Sequence, residues 1–198
     1  MNKVLFTQLI LAGSLASTGL AAAEAPKNGA PPPVEMQQMM KTYTPELRQK
    51  VMALSPELKA TIQKLHAGHT RRAKETTLRQ IMHEILSEYQ SIASALATDN
   101  AEQAAESARR LANHRIPKGG LLAYFPLDNV NTKDLSVLPV MNEAVEGSAL
   151  KLAEAADAGD MPKAASYMSD IMTGCVACHQ KFRSVPGISA NLMTPTTK

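Results

Sequence analysis

The sequence predicts an all-α protein: an antiparallel four-helix bundle preceded by an extra helical segment. Three observations carry this. From residue 77 onward, apolar residues recur at steps of three and four, the spacing that lines one face of a helix. Helix-start signals punctuate those runs, with Ser, Thr, Asn or Asp standing just ahead of them. No segment alternates apolar and polar residues for long, so strands are not expected.

The chain opens on Lys3 and the apolar run VLFTQLILAGSLASTGL, followed by small residues at 21–23. This is the pattern of a secretory signal, with cleavage expected between Ala23 and Glu24. An uncleaved anchor is the competing reading, and the Gly, Ser and Thr interruptions and the small-residue site weigh against it. A cleaved signal places the protein in the periplasm, with no stable membrane span. Residues 24–43 begin with EAPKNGAPPPVE, a Pro-rich leader expected to act as a tether. Its MQQMM stretch at 36–40 has the softness for metal capture. Methionines more often simply pack, and copper is not expected. In the segment 44–75, TPEL at 44–47 and SPEL at 55–58 each set a hydroxyl residue before Pro and Glu, which starts a helix. They predict helices over about 45–53 and 56–66, with a break around Gly68.

The bundle is expected over residues 76–184. Its first helix starts at Thr77 and carries Leu78, Ile81, Met82, Ile85, Tyr89, Ile92 and Leu96 on one stripe. TDN at 98–100 stops it, and Asn100, three before Gln103, caps the second. That helix shows a small-residue face of Ala104, Ala105, Ala108, Leu111 and Ala112, and ends before Pro117. Residues 117–136 read as a loop. The third helix covers about 137–158 with Leu138, Met141, Val145, Ala149, Leu152 and Ala156 inward, and Gly159 ends it. Asp160 and Pro162 open the fourth, about 161–184, whose inward face is expected to be Ala165, Met168, Met172, Cys175, His179 and Phe182. Residues 185–198 read as a coil tail. Short links between amphipathic helices favour antiparallel neighbours.

Net charge is +3, and the signal would take Lys3 and no acid from it. The basic residues are scattered and aromatics are few, so nucleic acid is not an expected partner. The mild positive charge suits docking with an acidic partner.

The chain's two cysteines fall in GCVACHQKFR at 174–183. A disulfide between positions i and i+3 closes a tiny loop and restrains little of the unfolded chain. A redox dithiol is possible but leaves the following histidine without a role. Zinc would want further ligands at regular spacing. C-x-x-C-H is the pattern of c-type haem attachment. Cys175 and Cys178 would add to the two haem vinyl groups, and His179 would bind the iron. At i, i+3 and i+4 these three share one helical face.

CVACHQKFR near the C-terminus, FP at 125–126 and LAEAADAGDMPKAASYMSDIMTGC leading into the motif resemble the class II c-type cytochromes, the cytochrome c-prime group and its low-spin relatives. The resemblance covers roughly residues 76–184. It implies an exported four-helix bundle with one covalently attached haem c per chain. It carries Cys175 and Cys178 onto the thioether positions and His179 onto the proximal iron ligand. Arg183 matches the arginine after the motif and would pair with a haem propionate. The plainer reading of Arg183 is a solvated charge suited to a helix C-terminus.

The residue on the other side of the iron decides function. In the low-spin relatives a methionine of the first helix binds there and electrons are the cargo. In the c-prime type the place is open to small gases. The matching position here is Met82, inward on its stripe; methionine is a haem-iron ligand that raises potential. The plainer reading makes it one more core residue among eleven methionines. His83 lies about 100° round the same helix, and His66, His69 and His114 are further alternatives for the sixth position. The expected function is single-electron transfer through a His/Met haem, with periplasmic or membrane-bound redox proteins as partners and a possible homodimer. The alternative is a five-coordinate protein that binds or senses NO or CO. An enzyme such as a peroxidase would need a distal acid–base group, for which His83 is the nearby candidate, and no enzymatic activity is expected.

Overall fold

The structure is a computed structural model that describes residues 34–128 and 130–183. The signal and its cleavage point, the leader as far as residue 33 and the tail from residue 184 lie outside the described residues. Among the described residues the chain is all-α, with no strand.

Local chemistry sets the helix starts. Helices α2 (Pro45–Ala53) and α3 (Pro56–Ala67) begin where TPEL and SPEL predict. Thr44 accepts from the Leu47 N–H at 3.3 Å and Ser55 from the Leu58 N–H at 3.2 Å, while proline costs nothing at N1, where its missing N–H would have no partner anyway. They follow α1 (Val34–Met40). Thr77 and Gln80 form a reciprocal capping box at the start of α4 (Leu78–Ala97). Asn100 caps α5 (Ala101–Ala112). A 3₁₀ turn (Leu121–Tyr124) and α6 (Thr132–Leu135) lie within the expected loop. Next, α7 (Leu138–Asn142), a π-helical turn (Glu143–Gly147) and α8 (Ser148–Asp157) run on as one helical stretch. Gly159 turns the chain at φ 75°, a value glycine adopts without a β-carbon clash. Asp160 then caps α9 (Met161–Phe182).

α5 packs against both α4 and α8, and α8 against α9, over long stretches, whereas α4 and α9 meet along only a short one. Ala104, Ala105 and Ala108 of α5 are buried in one cluster with Ala149, Ala153 and Ala156 of α8, joined by Ile92, Leu111, Leu152 and Ile171. Alanine at these positions lets the helices approach closely. The buried Ser107 hydroxyl is 2.7 Å from Ser91 Oγ and accepts from Arg110 at 2.9 Å, so a polar group fully inside the α4–α5 interface is satisfied.

Residues 36–75 pack as a separate element rather than lengthening α4. Met36, Met40, Tyr43, Leu47, Val51, Leu58 and Ile62 form a second cluster with Leu122, Tyr124, Phe125, Leu135, Leu138 and Phe182. The Tyr43 hydroxyl donates to the Gly119 carbonyl at 2.6 Å. The leader expectation therefore fails from residue 34 onward: that stretch is helical, and Met36 and Met40 are core.

The inward face of α9 also differs from expectation. Ala164, Ile171, Gly174 and Phe182 are buried, whereas Ala165, Met172 and His179 are exposed. The buried stripe is rotated toward α8, because Gly174 lets the backbone of α9 press on Ala144 and Val145 of the π turn.

Candidate functional site

The last three turns of α9 carry Cys175, Cys178 and His179. Both cysteines are free and half-buried. Burial pushes both thiols up, so they stand as protonated thiols at neutral pH, unlike the depressed thiols of reactive dithiols. Cys178 packs beside the cluster that holds Phe125 and Phe182, and Cys175 beside the Ala-rich cluster. Phe125, from the FP pair of the loop, stacks on Phe182 with ring centroids 4.7 Å apart. That stack anchors the end of the motif helix.

Met82 is half-buried and His83 exposed on α4. At about 100° per residue, Leu78, Met82, Leu86 and Tyr89 share the flank of α4 away from α5. Burial first, and Cys175 second, raise the Tyr89 phenol, so Tyr89 lies near Cys175 of α9. Both helices carry exposed apolar side chains: Leu86 is 48% exposed on α4, and Met172 and Val176 are 43% and 46% exposed on α9. His179 falls between Cys175 and Met172 on the α9 wheel and is itself exposed. Arg183 caps α9, donates its backbone N–H to the His179 carbonyl at 3.1 Å, and is exposed. Lys181 donates to Asp134 at 2.6 Å and holds that carboxyl below the usual carboxylate range.

The remaining expected alternatives separate from this site. His66, His69 and His114 gather at the ends of α3 and α5, together with Glu146 of the π turn. Glu146 Oε1 lies 3.1 Å from His69 Nε2 and 3.2 Å from His114 Nε2. Burial alone would raise the Glu146 carboxyl, but the two imidazoles outweigh it and hold the group at about 2. His66 is buried, and among the described residues neither of its ring nitrogens has a hydrogen-bond partner. Sequence reasoning weighed these histidines one by one and missed their gathering. The available hint was three histidines beside helix ends, without any spacing that reaches Glu146.

No family model, curated protein or solved structure matches this chain.

Proposed function

We propose that the protein is an exported monohaem c-type cytochrome, a four-helix bundle that carries single electrons. The observation that supports it is that Cys175, Cys178 and His179 share one face of α9, with both thiols free and half-buried and exposed apolar side chains on α4 and α9. α9 carries two half-buried free thiols, and Leu86 of α4 and Met172 and Val176 of α9 are exposed, side chains whose exposure costs about 25 cal/mol per Å² of apolar area. A porphyrin held there would cover them.

Cys175 and Cys178 would hold the haem through thioether bonds, His179 would bind the iron, and Met82 would bind its other side. The haem supplies a one-electron iron couple. The chain's own residues do the rest. The thiols sit protonated, ready to add across vinyl groups. Tyr89 and Ile85 close the inner side, half-buried against the Ala-rich cluster. Phe125 and Phe182 fix the end of α9. Arg183, exposed one turn past His179, would pair with a propionate. Without Met82 on the iron, the same site reads as the gas-binding alternative.

The test is covalent attachment. Expressed in a host with haem-attachment machinery, the wild-type chain keeps its haem on a denaturing gel, and Cys175→Ala with Cys178→Ala loses it. A wild-type chain without haem would overturn the reading.

A further inference from the structure

We propose that His69, His114 and Glu146 form a second metal site, separate from Cys175, Cys178 and His179, that takes a divalent first-row transition ion.

Backbone pairing brings the two histidines together. Ala73 N–H donates to the Ile116 carbonyl at 2.9 Å, and Ile116 N–H to the Arg71 carbonyl at 3.0 Å. Asn113 clasps the same junction, accepting from the Thr70 N–H at 3.0 Å and donating to its hydroxyl at 2.8 Å. The imidazoles end with ring centroids 4.6 Å apart. Glu146 reaches them from the π turn, a local rearrangement of the helix that often accompanies functional sites.

The donors are oriented as ligands. His69 Nδ1 lies 3.0 Å from the Leu65 carbonyl, and His114 Nδ1 lies 2.9 Å from the Arg115 carbonyl. A carbonyl only accepts, so both Nδ1 atoms donate and both Nε2 atoms face Glu146. Fixing one ring nitrogen on a backbone carbonyl is how proteins orient a metal-binding histidine. His69 Nε2 lies 3.1 Å from the carboxylate oxygen, and its side chain is nearly fully buried.

The spacing matches coordination. Ligand atoms at the usual zinc distances stand about 3.3 Å apart at the corners of a tetrahedron, and slightly less in an octahedron. The two Nε2–Oε1 separations are 3.1 and 3.2 Å, and the three donor atoms all fall within 4.8 Å of one another. Two imidazoles and one carboxylate suit zinc or iron(II) and leave positions open. The site is shielded but not sealed. The His69, His114 and Glu146 side chains are 3%, 13% and 16% exposed, and His114 also lines a cleft of about 250 Å³ with Glu84, Glu88 and Arg115. Of the neighbouring groups, Asn142 donates to Glu146 Oε2 at 2.9 Å and orients the carboxylate, and Arg72 donates to the His66 carbonyl at 2.8 Å.

The test is zinc content of the full-length chain after chelator treatment, zinc loading and dialysis. Wild type is expected to hold one zinc per chain beyond any haem iron. Cys175→Ser with Cys178→Ser is expected to hold the same amount, because the thiols take no part. Glu146→Gln and His114→Ala, checked for wild-type helicity, are expected to bind zinc at least about a hundredfold more weakly, since loss of a mere outer partner of a ligand already costs about tenfold to a hundredfold. Zinc absent from wild type, lost with the cysteines, or retained equally by Glu146→Gln and His114→Ala would each overturn the proposal. The wild-type stoichiometry decides even if a variant fails to fold, and the reading does not depend on haem.

Discussion

Gly174 and Ala144 meet at backbone distance. A β-carbon on Gly174 would stand 3.0 Å from Ala144 Cβ, 3.2 Å from the Ala144 carbonyl carbon and 2.7 Å from Val145 Cγ2. The residue before the first motif cysteine thus seats α9 directly on the π turn that carries Glu146. The contact predicts a sign reversal. Alanine normally gains about 1 kcal/mol over glycine inside a helix, but overpacking costs about 1–3 kcal/mol, and backbone atoms of the π turn cannot step aside as a flexible tip would. Gly174→Ala is therefore expected to lower stability by about 1–2 kcal/mol. Gly68, with φ −68° and open space around its β position, is the control. Gly68→Ala is expected to raise stability by about 0.4–1 kcal/mol. Urea midpoints of the two variants check this; a stabilising Gly174→Ala would refute the contact.

Stability is expected to fall in mild acid because of His66. Burial first, then Arg72, His69 and His114, lower its pKa from 6.5 to about 4, and Glu146 only partly opposes them. The folded ring stays neutral where the unfolded one takes a proton. The contribution is therefore full above pH 6.5 and is lost as pH falls toward 4. The interval corresponds to about 3 kcal/mol. Urea unfolding of chelator-treated protein between pH 7 and pH 4 is expected to be steeper in pH for wild type than for His66→Leu. Identical pH profiles would contradict a buried neutral imidazole.

Met82 separates carrier from gas binder. It shares its flank with Tyr89, which senses Cys175. Met82→Leu keeps the volume and removes the sulfur. The reduced variant is expected to bind carbon monoxide and to have a lower reduction potential, with thermal stability within about 1.5 kcal/mol of wild type. A variant whose carbon monoxide response matches wild type would show that Met82 only packs.

How far the sequence was legible follows from the range of each interaction. Thr44, Ser55, Thr77, Asn100 and Asp160 cap within three residues of themselves, so the starts of α2, α3, α4, α5 and α9 were readable. The inward face of α9 was not, because Gly174 adds no hydrophobic signal, and exposed Met172 added a false one. Burial of Met36 and Met40 depends on a loop more than 80 residues away. The π turn leaves no local mark, and His69, His114 and Glu146 meet only after the 71–76 and 116–118 segments pair. That Cys175, Cys178 and His179 share one helix was legible from their spacing. That Leu86 and Val176 are exposed was not.

The most direct test of the electron-carrier reading is the visible absorption spectrum of the purified, haem-loaded chain, oxidised and reduced, with and without carbon monoxide. Sharp reduced bands, a weak long-wavelength methionine–iron band when oxidised, and no carbon monoxide shift are expected for His179 and Met82 as the iron's two axial ligands. A broad high-spin reduced spectrum that moves with carbon monoxide, or no haem absorbance at all, would contradict it.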